Sequence, residues 1–406
     1  MSKRNHVDDL RGAGKMLIDA TAGLTDLVEA LHRRIARTPT RAGGPVIGGA
    51  VEGITGLVYE TLRGVTRSVG GGLDLALARL APLIREVDPA PQREALLAAL
   101  NGVLGDYLVE TGNALAIPMR LRRDGKPLEL TRAGLDAVAG PSARLLVMVH
   151  GLCLNDLQWR HDGHDHGAAL ERDLGFTGVY AHYNTGRHIS TNGRELADLL
   201  EGLTTCWPRP VEELVIVAHS MGGLVSRSAY HYGALAAHEW PRRLRRVVFI
   251  GTPHHGAPLE RGGNWLQVLL GVSGYSAPFA RLGRVRSAGI TDLRYGSMLD
   301  EDWEGRDRFA RAKAPPRPLP LPQGVECYAI AATLSRPSGV LARHVVGDGL
   351  VPLTSGLGQH DDPQRALSFP RGHTWIATET GHFELLGRPE VYERLRAWLA
   401  AAPASA

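Results

Sequence analysis

Cysteine is scarce: Cys153, Cys206 and Cys327 are the only three in 406 residues. An odd, scattered set does not make a disulfide framework, so stability has to come from a buried core. Aromatics are 6% of the chain, the seven tryptophans are scattered, and no nucleic-acid-binding motif is present. Neither sign of charge dominates. A net charge of +4 allows weak attraction to an anionic surface and does not argue for a nucleic-acid partner. Long apolar runs are missing too. The nearest, 46–65, is interrupted by Glu52, Glu60 and Arg63 and reads poorly as a membrane span. The first nine residues lack an apolar stretch with a small-residue cleavage site, so no signal peptide is expected and a cytoplasmic location is the default. The chain is long enough for a large core and more than one folding unit.

What is present is organised around Leu214, Val215, Ile216 and Val217, which run through Ala218 and His219 into Ser220, Met221, Gly222 and Gly223. A buried strand, a sharp turn and a helix are expected, with Ser220 at the turn. Strand and helix backbones nearly touch at such a turn, and the small residues Ala218 and Gly222 meet that demand. Ser220 is thereby held at the end of a sheet, beside the positive N-terminus of the new helix.

The region before this is different. Apolar residues recur at helical spacing from Met16 to Ile35, and further helices are expected over 46–68, 73–84 and 92–104. The helix over 46–68 carries Gly48, Gly49, Gly53, Gly56 and Gly64, which fits close packing on a neighbour, a homodimer contact or an in-plane contact with a lipid surface. Residues 1–117 are therefore read as an N-terminal helical region and 118–406 as a catalytic domain.

That domain opens with a hairpin around Asp124 and Gly125. Strands follow at 144–149, 179–182, 214–217, 247–250, 327–332 and 373–378, with helices over 193–203, from 224 and over 389–399. Thr191 or Asn192 is the expected cap of the helix over 193–203. The arginine run from Arg242 to Arg246 reads as a solvated connection. Residues 259–323 fit no sheet pattern and are read as a cap or lid. His161, Asp162, His164, Asp165 and His166 could ligate a metal, but no helical pair supports it, and a polar loop capping a helix near Ala168 is preferred.

The Ser220 turn resembles the nucleophile elbow of α/β-hydrolases, with Ala218 in place of the first glycine. His150 and Gly151 after a buried strand resemble the oxyanion loop of lipases and esterases. Gly251, Thr252, Pro253 and His254 resemble a second signature of bacterial triacylglycerol lipases and of the GPI-inositol-deacylase-like domain. The resemblance implies an α/β-hydrolase fold, a mostly parallel central sheet flanked by helices. It implies a triad of Ser220, Asp348 and His382, with the amides of Leu152 and Met221 as oxyanion donors. Asp348 lies between Gly347 and Gly349 late in the chain, with Asp361 and Asp362 as fallback acids. His382 lies between the last strand and the last helix, with His373 as a weaker alternative. Of the residues expected at the substrate cleft, His150 is expected to shape the loop, Leu154 and His219 to line the cleft, and His254 to line it or brace the turn. The implied reaction is hydrolysis of apolar acyl or lipid esters without a metal or organic cofactor. Acyl transfer, amide cleavage, polyester depolymerisation and non-catalytic lipid binding or scaffolding are the alternatives left open. Cys153, beside the Leu152 amide, is expected to make the enzyme sensitive to a bulky thiol reagent.

Overall fold

Strands buried on both faces read as continuous apolar runs, and three such runs form the middle of the sheet. In the computed structural model the described residues are 90–138, 140–257, 287–305, 315–335 and 347–401. The strands are β1 (Arg120–Arg123), β2 (Lys126–Pro127), β3 (Arg144–Val149), β4 (Arg160–His161), β5 (His164–Asp165), β6 (Thr177–His182), β7 (Glu213–His219), β8 (Leu244–Ile250), β9 (Glu326–Thr333) and β10 (Thr374–Thr378). The helices are α1 (Ala90–Glu110), α2 (Arg132–Asp136), α3 (His166–Leu174), α4 (Ile189–Cys206), α5 (Met221–Leu235), α6 (Trp240–Arg243), α7 (Ala288–Tyr295), α8 (Leu353–Gly356) and α9 (Pro389–Ala400). Among the described residues the sheet has eight strands in the order β10-β9-β8-β7-β3-β6-β1-β2. It is parallel from β10 to β6, and β1 and β2 pair antiparallel. β4 and β5 form a separate small hairpin.

Alternation divides the central strands between two faces. Leu146, Met148, Val215, Val217, Val248, Ile250 and Ile330 meet α3 and α9 through Leu170, Val391, Tyr392, Leu395 and Leu399. On the opposite face α4 packs against α5, and α5 lies along β7. The parallel direction carries the ends of β7, β8, β9 and β10 to one edge, and Ser220, Asp348 and His382 all follow at that edge.

The chain divides into two compact units, one of residues 1–96 with 273–284 and one of 97–272 with 285–406. Of the first, only 90–96 are described. The helix expected over 92–104 runs on to Glu110. From residue 97 it belongs to the larger unit. Asn184 ties it there: its side chain donates to the Gly105 carbonyl. The helices expected before residue 90, with their dimer or lipid contact, lie outside the described residues. So do 259–286 and 306–314 of the expected cap. Within the described part of that insertion, α7 is buried from Ala288 to Leu293: Ser287 before it donates to the Gly102 carbonyl and the Gly289 amide to the Gly186 carbonyl.

Two local expectations are corrected. The helix expected from 193 begins at Ile189, and neither Thr191 nor Asn192 caps it. Its first amide, Ile189 N–H, donates to Asp292 Oδ2 at 3.0 Å, so the cap comes from α7. The arginine run is not uniformly solvated. Arg242 is exposed, but Arg246 is fully buried after an irregularity in the β7–β8 register. Its guanidinium donates to Glu326 and to the carbonyls of Leu399 and Ala401, and lies 3.5 Å from Glu213. Among the described residues, no helix is long and apolar enough to cross a membrane.

Candidate active site

Ser220 follows directly on β7 and precedes the first residue of α5. Its backbone has φ 54° and ψ −124°, a left-handed conformation unusual for a residue with a Cβ. Two contacts impose it. The Ser220 amide donates to the Ile250 carbonyl at 2.8 Å, tying the turn to the end of β8. Helix α5 then starts so close to β3 that a Cβ on Gly222 would lie 2.3 Å from the Val149 carbonyl oxygen. Met221, at the first helical position, has an amide without an acceptor inside the helix.

The loop after β3 passes across this turn. A Cβ on Gly151 would lie 2.9 Å from Ser220 Cβ, so a side chain there would collide with the serine. Cys153 next takes φ 59° and donates its amide to Thr185 Oγ1 at 3.1 Å. The loop ends in a capping box, Asn155 and Gln158 satisfying each other's backbone amides. The Leu152 amide is thereby carried on a segment pinned at both ends beside Ser220.

Asp348 and His382 are both buried. Asp348 Oδ1 accepts the amides of Leu350 and Val351 at 3.0 and 2.8 Å. Its Oδ2 lies 2.7 Å from His382 Nδ1, and its own carbonyl accepts the His382 amide at 3.1 Å. A carboxylate that only accepts makes Nδ1 the donor and leaves Nε2 on the far side of the ring. The imidazole rests over Gly251, where a Cβ would lie 3.2 Å from Cε1. Gly251 directly follows Ile250, the residue that fixes the Ser220 amide. Ser220, Asp348 and His382 thus gather at one place. The fallback residues do not: Asp361 and Asp362 are exposed on a loop, and His373 bonds the Cys327 carbonyl at the opposite edge of the sheet.

The four expected cleft residues separate. His150 stacks on Tyr183 at 4.4 Å, and Tyr183 Oη donates to its carbonyl, so it shapes the loop. His219 lies beside His382, ring centres 4.7 Å apart, with Nε2 3.2 Å from the His382 carbonyl oxygen. Leu154 is corrected: it packs in the core with Trp159 and Leu170 and is 4% exposed. For His254 two places were expected, the cleft or the turn. It is wedged beside Phe249 and Phe369, with Arg227 Nη1 3.4 Å from its Nδ1, and braces the turn after β8. Tyr183 and Thr185 were not legible as site residues, because nothing in the spacing links 183–185 to the loop after β3. A cavity of about 750 Å³ lined by Arg245, Pro320, Cys327 and His373 lies at the amino ends of β8 and β9, away from Ser220.

Burial pushes several imidazoles down: His150 to about 3, His166 to about 4, and His219 and His254 well below their ordinary value. The folded protein therefore binds fewer protons than the unfolded chain below about pH 6.5. The stability these groups contribute is full above that pH and is lost as pH falls toward about 4, at no more than about 1.4 kcal/mol per group per pH unit. The urea midpoint is expected to fall steadily from pH 7 to pH 4.5. A flat profile would contradict the neutral assignment.

The thiol expectation is also corrected. Cys153 is buried with Sγ 3.9 Å from the Ala99 carbonyl, and burial pushes its pKa up; Cys327 is raised to about 12. The thiolate is the reactive form. A bulky reagent on the native protein is expected to modify Cys206 alone, since Cys153 and Cys327 are buried. Peptide mapping that finds Cys153 modified at the same rate would contradict this. Among the described residues no group of three or more His, Cys, Asp or Glu is placed to hold a metal, and the His161–His166 stretch forms the β4–β5 hairpin and the start of α3.

Residues 123–282 match a domain of unknown function (DUF7379). No curated protein matches the chain. Among solved structures, the chain is similar to the mature form of lipase BlEst2 from Bacillus licheniformis, at 18% identity and a TM-score of 0.42, covering 70% of this chain and 98% of that one. EstA from Clostridium botulinum is similar at 12% identity and a TM-score of 0.41, covering 69% and 92%. The metagenomic carboxyl esterase MGS0156 is similar at 17% identity and a TM-score of 0.36, covering 79% and 98%.

Proposed function

We propose that this chain, which has the α/β-hydrolase fold, is a serine hydrolase that cleaves carboxylic esters through Ser220, His382 and Asp348. One observation carries the reading: a buried His382–Asp348 pair, joined at 2.7 Å, stands at the sheet edge where Ser220 is held in a strained turn.

The chemistry follows from the roles these groups can take. Ser220 Oγ attacks the ester carbonyl while His382 Nε2 takes its proton. Asp348 holds the imidazole with Nδ1–H toward itself and stabilises the imidazolium. The carbonyl oxygen becomes an oxyanion facing the amides of Leu152 and Met221, each worth about 3 kcal/mol in the transition state. The C–O bond to the alcohol then breaks, and His382 gives the alcohol its proton. Water, deprotonated by the same nitrogen, attacks the acyl-enzyme and releases the acid and the free serine.

An alkyl fluorophosphonate is expected to add once to the protein, at Ser220, and to abolish hydrolysis of p-nitrophenyl esters in proportion. Hydrolysis that persists in fully labelled protein would overturn the reading.

A further inference from the structure

The histidines of the β4–β5 hairpin and α3 take no part in that chemistry, yet they touch the loop that carries His382. We propose that His166, with its tautomer set by the Leu385 carbonyl and matched by His164, is a positioning residue for His382. The proposal rests on the reading of Ser220, Asp348 and His382 above.

His166 is the first residue of α3, has no exposed surface, and stacks on Tyr392 with ring planes 7° apart. Its Nε2 lies 2.9 Å from the Leu385 carbonyl oxygen, and its Nδ1 lies 2.9 Å from His164 Nε2. A carbonyl oxygen can only accept, so His166 Nε2 must carry a proton. Burial keeps the ring neutral, so Nδ1 carries the lone pair. His164 Nε2 must then be the donor to it. One backbone carbonyl thus dictates the proton positions on the facing nitrogens of two imidazoles.

Leu385 stands three residues after His382, in the 3₁₀ turn Glu384–Leu386. The Gly387 amide returns to the Glu384 carbonyl at 3.1 Å. The β4 strand packs against this turn, so closely that a Cβ on Gly387 would lie 3.0 Å from the His161 carbonyl oxygen. At the other end, the His382 carbonyl is held by His219 from the nucleophile strand. The backbone that carries His382 is therefore gripped at two carbonyls by two neutral imidazoles, one from β7 and one from α3. Asp348 fixes where the His382 ring points, and the two carbonyl bonds fix the backbone it hangs from. A displacement of about 1 Å in a reacting group costs about 100-fold in rate.

The test uses the full chain labelled with ¹⁵N in its histidines. The His166 and His382 signals are assigned by their loss in His166→Gln and His382→Gln. His166 is expected to show a protonated Nε2 and a bare Nδ1. His166→Leu removes the donor while staying apolar, and is expected to shift the His382 signals and lower kcat on a p-nitrophenyl ester at least tenfold, with KM within about twofold. These effects are sized from the cost of misplacing a catalytic group. His166→Gln restores a donor near the Nε2 position and is expected to return both toward wild type. His164→Phe keeps a ring against Tyr392, removes the donor to Nδ1, and is expected to shift His382 by a smaller amount. A folded His166→Leu with unmoved His382 signals and wild-type kcat would overturn the proposal, as would a proton on His166 Nδ1. If His166→Leu does not fold, unmoved His382 signals in His164→Phe overturn it, and shifted signals support it. If Ser220→Ala hydrolyses the ester as fast as wild type, the hydrolase reading fails, and the ¹⁵N comparison still decides whether His166 positions His382.

Discussion

Ser220→Gly is expected to lower kcat for ester hydrolysis by about 10⁶-fold and to raise the unfolding free energy by about 1 kcal/mol. The two effects have one origin. Ser220 is held at φ 54° and ψ −124° by the Ile250 carbonyl and by the start of α5 against β3. A residue with a Cβ pays about 1–3 kcal/mol to stay in such a region. Glycine does not, although its greater freedom in the unfolded chain returns about 0.5–1 kcal/mol of that gain. Ser220→Ala keeps the Cβ and is expected to be equally inactive without the added stability. Initial rates and urea unfolding of the two variants side by side check this. Equal stability of both would mean that the turn stores no more than the about 0.5–1 kcal/mol that glycine's freedom returns. Turnover in either would move the nucleophile elsewhere.

Asp348→Asn is expected to lower kcat by about 10⁴-fold with the fold intact. Asparagine matches the carboxylate in shape, and its oxygen can keep the amides of Leu350 and Val351, which now bond Oδ1. Its NH₂ group then takes the place of Oδ2, 2.7 Å from His382 Nδ1 in the native site. Two donors cannot face each other there, so His382 moves its proton to Nε2. That nitrogen can no longer take the proton of Ser220. Rates measured with Ser220→Ala as the background, and an unfolding curve matching wild type, check the claim. A loss smaller than tenfold would remove Asp348 from the reaction.

The parts of the molecule that local sequence specifies were legible in it. The run Leu214 to Val217 is apolar at every position because β7 is buried on both faces, and the small residues around Ser220 announce the turn. The chain order of Ser220, Asp348 and His382, each after a strand, places all three at one edge once the sheet is parallel. What was missed depends on partners distant in the chain. The start of α4 is set by Asp292, 103 positions beyond the amide it caps. Arg246 looks solvated until Glu326 and the carbonyls at the end of α9 are brought to it. Leu154 reads as a cleft residue from its neighbours in sequence, but the 3₁₀ turn Asp156–Trp159 helps carry that segment into the core. His164 and His166 could be metal ligands by residue type alone, and only the Leu385 carbonyl reveals their protons.

The parallel sheet has a consequence in time. Arg144 at the start of β3 pairs with Glu213 at the start of β7, 69 positions later. At roughly 5–20 residues per second of synthesis, β3 leaves the ribosome on the order of 3–14 s before the strand that will cover one of its edges. In that interval β6 can close only the other edge, and 145–149 remain an apolar, strand-forming segment with an open side. A strand that ends at the centre of the sheet thus begins as an edge, and the nascent chain carries that open apolar side until β7 has been made.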